Sequence, residues 1–155
     1  MDQTAGYPKD REAAIRVVMM PRDTNPLGTI FGGVILSYID IAAAIEAHRH
    51  YPGRVVTIAM DQVVFKQPVF VGDLVSFFTE TRRIGTTSVS VKVVVWAQRF
   101  GSKQLSYVTE ALVTLVAVDD QGRKVAIKVR ANKWKAQGQA CRSARRAADS
   151  GRTRR

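Results

Sequence analysis

The sequence predicts an α+β fold, a single long helix near its start with an antiparallel sheet wrapped round it, and three features lead there. The segment Val34 to His50 is rich in Ile, Leu and Ala and contains no Pro or further Gly until Pro52-Gly53 ends it. After that turn the composition shifts to Val, Thr, Phe and Ile in runs that alternate in places with polar residues, most clearly in Ser88-Val89-Ser90-Val91-Lys92-Val93. The connections between those runs are short, which favours antiparallel neighbours because parallel crossovers need a dozen or more residues.

In chain order, Ala14 to Met20 reads as a first strand, followed by the turn-rich stretch Pro21-Arg22-Asp23-Thr24-Asn25-Pro26-Leu27-Gly28. Gly32-Gly33 then opens the helix, which at roughly 17 residues would be about 25 Å long. Its apolar side chains occur nearly all round until Glu46, the pattern of a helix buried in a core rather than lying on a surface. Strands are expected over Val55 to Val64, Asp73 to Ile84, Ser88 to Gln98 and Ser106 to Val118. They are separated by Gln67-Pro68 with Gly72-Asp73, Gly85-Thr86-Thr87, Phe100-Gly101-Ser102 and Asp119-Asp120-Gln121-Gly122. A strand, one central helix and then a sheet that wraps it is the hotdog architecture.

The 155 residues suit one domain with one core, and 46% hydrophobic residues is ordinary for a globular protein. The formal charge of +11 is unevenly spread. Residues 128–155 hold ten Lys plus Arg and one acid, Asp149, so residues 1–127 carry a net of only +2. We divide the chain into a polar N-terminal segment 1–13, a folded domain 14–127 and a basic, disordered tail 128–155 with almost no large apolar residue after Trp134. The start of the chain has no apolar signal segment and no apolar run spans a bilayer, so a cytoplasmic protein is expected, with no membrane insertion. Cys141, the only cysteine, has no partner in the chain, which excludes an internal disulfide and a thiolate cluster and leaves a catalytic thiol improbable in that polar tail.

Asp40 lies in Leu36-Ser37-Tyr38-Ile39-Asp40-Ile41-Ala42-Ala43-Ala44-Ile45, the most apolar helical stretch of the chain. A carboxylate there is either an Asp held by a neighbouring hydroxyl or amide, or a general base raised toward working pH by desolvation. At the helix start, the Gly32 and Gly33 amides can receive a developing oxyanion, although such a pair also serves as a turn or a close-packing device. Gly33 and Asp40 are two turns apart, roughly 10 Å, too far to serve one carbonyl from the same subunit. Two such helices packed antiparallel, with Ala42, Ala43, Ala44 and Ala47 allowing close approach, would bring the start of one beside the middle of the other. A homodimer with sites at its interface follows. Asn25 can orient a water or a carbonyl, or simply form an Asx-turn before Pro26. Arg82-Arg83-Ile84-Gly85-Thr86-Thr87-Ser88 can hold phosphates or merely solvate a hairpin. His48 and His50, two apart at the helix end, point in different directions, and no metal-ligand cluster is expected.

Asp23-Thr24-Asn25, Gly28-Thr29-Ile30-Phe31-Gly32-Gly33, Ile39-Asp40, Val55-Val56-Thr57-Ile58-Ala59-Met60-Asp61, Phe65-Lys66-Gln67-Pro68-Val69 and Val71-Gly72-Asp73 follow in order as in the YciA-like acyl-CoA thioester hydrolases. The stretch Val91-Lys92-Val93 to Trp96 and Val108-Thr109-Glu110-Ala111 also resembles that family, which the chain matches from about residue 15 to 125. The resemblance implies a hotdog domain that dimerises through its central helices, commonly as a trimer of dimers, a homohexamer. It implies hydrolysis of acyl-CoA to free acid and CoA, a step of fatty acid metabolism, without a metal or organic cofactor. By matching position, Asp40 is the catalytic carboxylate, Asn25 of the partner subunit orients the water or thioester, and the Gly33 amide polarises the carbonyl. CoA is then expected near Thr57, Arg82, Gly85, Thr87 and Ser88. Some relatives have His before the Gly pair where this chain has Phe31, which removes one polar contact and leaves the base in place.

Two other readings compete. A hydratase or dehydratase on the same fold would need His and a carboxylate beside the acyl chain, and no His lies near the Gly pair. A non-catalytic acyl-CoA sensor would use the basic tail on nucleic acid or acidic lipid. For that tail we expect a solvated extension and no specific nucleic-acid partner.

Overall fold

The computed structural model describes residues 6–61, 63–102 and 104–127. The basic tail 128–155, with Cys141 in it, lies outside the described residues. The elements are β1 (Ile15–Val18), a short 3-10 turn (Pro21–Asp23), α1 (Gly32–His48), β2 (Arg54–Asp61), β3 (Leu74–Ile84), β4 (Ser88–Gln98) and β5 (Leu105–Val118). The five strands form one sheet in the order β1-β3-β4-β5-β2, antiparallel at every pairing, with α1 packed across β2 to β5. This is the expected hotdog arrangement.

Strand alternation decides which face meets the helix. Along β4, Val89, Val91, Val93 and Val95 are buried and face α1 with Val75 and Phe77 of β3 and Val113, Leu115 and Ala117 of β5. The opposite face carries an edge-to-face aromatic cluster in which Tyr7 meets Phe78 and Trp96, and Trp96 meets Tyr107. Beside it runs a charged row, with Lys92 Nζ 2.8 Å from Glu110 and Arg82 2.7 Å from Glu80. The two neighbouring strands put Glu80 directly across from Lys92.

Two expectations about α1 need correction. One face is buried on the sheet through Ile35, Ile39, Ala42, Ala43, Glu46 and Ala47, but the opposite face is open in the single chain, with Ile41 and Ile45 49% and 40% exposed. The all-round apolar pattern therefore covers two different contacts rather than one enclosing core. Ala42, Ala43 and Ala47 do not lie on that open face. They are wholly buried, and their small side chains let the helix sit close on the sheet. The second strand also stops at Asp61 rather than Val64. From there the chain leaves the ladder, held by Lys66 N–H on Val108 O at 2.8 Å and by Thr109 Oγ1 on Val64 O at 3.0 Å.

Candidate active site

The loop before α1 is shaped by Asn25. Its backbone N–H bonds Thr29 O at 2.8 Å, and its O accepts from Gly28 N–H at 3.0 Å, a turn closed by Gly28 at φ +79°. Its side-chain Oδ1 accepts from Leu27 N–H at 2.9 Å and Thr29 N–H at 3.3 Å, while Nδ2 donates to Thr29 Oγ1 at 2.8 Å. Because backbone N–H groups can only donate, the amide orientation is settled: the oxygen is committed to the loop and the NH₂ keeps one hydrogen for another acceptor. The Asx-turn reading and a positioning role thus use different atoms of one side chain.

The loop delivers the chain to the helix through Phe31, whose N–H bonds Asp23 O at 2.8 Å. Val34 N–H turns back to Phe31 O at 2.9 Å, whereas the Gly32 and Gly33 amides bond no acceptor among the described residues. The ring of Phe31 lies against Gly33 so closely that a Cβ there would come within 2.3 Å of its Cε1. Glycine is required at 33 by that approach. Beside the helix start, Thr29, Ile30, Gly32, Ile35, Phe65 and Val69 line much of a pocket of about 340 Å³, mostly apolar in its side chains.

Two turns further on, Asp40 is only half-buried in the single chain, not enclosed. Its Oδ1 accepts a 2.5 Å hydrogen bond from Thr57 Oγ1 on β2, and Oδ2 makes none among the described residues. Asp40 stands on the flank of α1, between its buried face and the open face of Ile41 and Ile45. The open apolar surface continues onto β2 at Val56 and Ile58, 59% exposed at Ile58.

The residues expected around CoA do not form one cluster. Thr57 aligns across the sheet with Leu115 and Val89, so it lies two strands, about 10 Å, from the β3–β4 turn. Its hydroxyl proton is given to Asp40. Arg82 is on the other face of the sheet with Glu80, and its hydrogen bond holds the Glu80 carboxyl below the ordinary carboxylate range. Gly85, Thr87 and Ser88 form the turn itself, where Gly85 N–H bonds Ser88 O at 2.7 Å and Thr87 O accepts from Ala117 N–H at 2.9 Å.

Sequence reasoning passed over Glu46. It is 7% exposed, and its carboxylate accepts from Thr79 Oγ1 at 3.0 Å and Thr81 Oγ1 at 2.8 Å, with Arg49 Nη1 at 3.2 Å. His50 Nε2 lies 2.8 Å from Thr81 Oγ1, and since that hydroxyl gives its hydrogen to Glu46, the ring nitrogen is the donor. Thr79 and Thr81 on alternate positions of an otherwise apolar strand face are the signal that could have found this partner. His48 bonds Ala44 O at 2.7 Å instead, so the two histidines part as expected. Among the described residues no group of His, Cys, Asp and Glu could hold a metal ion, and no helix is long and apolar enough to cross a membrane.

Comparison with known proteins bears on this arrangement. The model of the thioesterase superfamily matches residues 27–100. The acyl-CoA thioester hydrolase YciA of Escherichia coli K12 is 39% identical over 132 residues, covering 83% of this chain and 99% of that protein. The chain belongs to the YciA-like acyl-CoA thioester hydrolases. Among solved structures of such thioesterases, a hexameric hotdog fold thioesterase of Campylobacter jejuni is 51% identical, with a TM-score of 0.72 over 76% of this chain and 91% of that one. A hexameric broad specificity acyl-coenzyme A thioesterase, solved as an aspartate-to-alanine mutant, is 36% identical, with a TM-score of 0.75 over 86% and 98%.

Proposed function

We infer that this chain hydrolyses acyl-CoA to a free carboxylic acid and CoA, with Asp40 as the general base. The observation that carries this is the carboxylate on the flank of α1, one oxygen held by Thr57 and the other open. In the reaction Oδ2 takes a proton from water while the water oxygen bonds to the thioester carbon. The negative charge that develops on the carbonyl oxygen is met by the Gly33 amide, and collapse breaks the C–S bond and releases the CoA thiol with the proton returned. Water supplies both the OH of the acid and the hydrogen of the thiol, so no cofactor enters.

The same reading makes the protein a homo-oligomer whose site-forming unit is a dimer, assembled as a trimer of dimers in a homohexamer. Gly33 and Asp40 of one subunit are roughly 10 Å apart along one helix, and the open face of Ile41, Ile45, Val56 and Ile58 gives a second helix a place to pack. Packed antiparallel, the partner's helix start, with its Gly33 and its Asn25, comes to Asp40. The free hydrogen of the Asn25 amide is the atom placed to hold the water or thioester. CoA lies toward Arg82, Gly85, Thr87 and Ser88, where Arg82 must share its charge between Glu80 and a phosphate. We place this activity in the cytoplasm, with 14–127 as the catalytic domain and the basic tail 128–155 without a specific nucleic-acid role.

CoA release from acyl-CoAs of short to long chain tests the reading. Turnover that scales with enzyme supports it. CoA binding without turnover at any chain length would leave an acyl-CoA sensor.

A further inference from the structure

We propose that Thr57 is a positioning residue for hydrolysis: its hydroxyl fixes the Asp40 carboxylate so that Oδ2 faces the attacking water. The proposal rests on the reading of Asp40 as the base and names what holds that base in place.

Three observations on β2 converge. The Oγ1–Oδ1 separation of 2.5 Å is that of a charge-assisted O–H···O⁻ bond. Thr57 is paired with Leu115 but Ala59 with Thr114, so Ile58 is a β-bulge immediately after Thr57, a device that re-aims neighbouring side chains. Threonine is also branched at Cβ and stiff at χ1, so the strand backbone, not solvent, sets where the hydroxyl points.

The hydrogen-bond inventory then separates this role from CoA binding. A threonine hydroxyl has one proton, and here it goes to Asp40. Phosphate and carbonyl oxygens of CoA are acceptors, so Thr57 could donate to them only by releasing Asp40. Released, Asp40 is half-exposed and free to turn, and neither oxygen is committed to the water. Geometric control of this kind matters because misplacement of a reacting group by 1 Å can cost about 100-fold in rate.

The test compares wild type, Thr57→Val and Thr57→Ser as full-length proteins. It reads kcat and KM for a good acyl-CoA substrate across pH and the Kd of free CoA by calorimetry. Valine keeps the branched shape and strand preference of threonine, and serine keeps the hydroxyl. The expected result for Thr57→Val is a kcat lower by about 10- to 100-fold, with KM and the CoA Kd changed by no more than about twofold. The acid limb of its kcat profile moves to higher pH, because a hydrogen bond favouring the charged carboxylate is gone. Thr57→Ser recovers most of kcat and the wild-type limb. A rise in KM and CoA Kd with kcat and the limb unmoved would overturn the proposal in favour of a CoA contact, and so would a Thr57→Val enzyme indistinguishable from wild type. Wild type without turnover would remove the hydrolase reading itself, an outcome visible before any variant is compared.

Discussion

Replacing Ile45 with glutamate separates the dimer from the fold. Ile45 is 40% exposed in the single chain, one turn beyond Ile41 on the open face of α1 and clear of both Asp40 and the sheet. Fully burying such a side chain is worth roughly 1.5–3 kcal/mol, so the exposed share contributes about 1 kcal/mol when a partner covers it. A two-fold contact counts that loss twice, and a carboxylate forced into an apolar contact, with water still reaching it at the rim, adds about 1 kcal/mol per copy. The sum is ~4 kcal/mol, or a dimer Kd about 10³-fold weaker. The monomer keeps its buried face and its melting transition. Specific activity measured against enzyme concentration, beside sedimentation at the same concentrations, should fall together with the dimer and recover as the protein is concentrated. Full activity per subunit in the monomer would refute the argument that Gly33 and Asp40 of one chain cannot serve the same carbonyl.

Asn25→Asp keeps an oxygen to accept from Leu27 and Thr29 N–H but loses the NH₂ group. Its melting temperature is expected to stay near that of wild type while kcat falls by at least about 10-fold; an active Asp variant would reduce Asn25 to a loop residue. Glu110 is held below its ordinary pKa, first by its hydrogen bond from Lys92. A carboxyl with a lowered folded pKa adds stability that is present above its unfolded value and is lost as pH falls through the folded one. Glu110→Gln should therefore melt earlier than wild type at pH 7, and the gap should close below pH 4.5, the model value for Glu. A gap that persists at low pH would show that the cost is packing, not charge.

Much of this was legible in the sequence because its physical cause is local. Strand β4 runs over Ser88–Gln98 as read, since alternation with period two has no other home in so long a run. Asp40, Asn25 and the Gly pair drew notice for similar reasons: a carboxylate in an apolar helix and glycines at its start are visible without coordinates. The alanines of α1 were misassigned because small residues permit close approach to any neighbour, sheet or helix, and only the tertiary packing chose the sheet. Thr57 and Glu46 share a different difficulty. The link from Thr57 to Asp40 spans 17 residues and that from Thr79 to Glu46 spans 33, and no spacing rule connects a helix position to a strand facing it. The same applies to the separation of Arg82 from Thr57, which depends on which side of the sheet each strand residue faces after a bulge.

Complementation between two inactive variants tests the shared site most directly. Asp40→Asn lacks the base and Asn25→Asp lacks the partner's amide, so each alone should release CoA at a small fraction of the wild-type rate. In a co-refolded equal mixture, each mixed dimer pairs an intact Asp40 with an intact Asn25 at one of its two sites. Activity should then return to about a quarter of the wild-type value per subunit. A mixture no more active than its two components would place Asp40 and Asn25 in the same subunit's site and contradict the account.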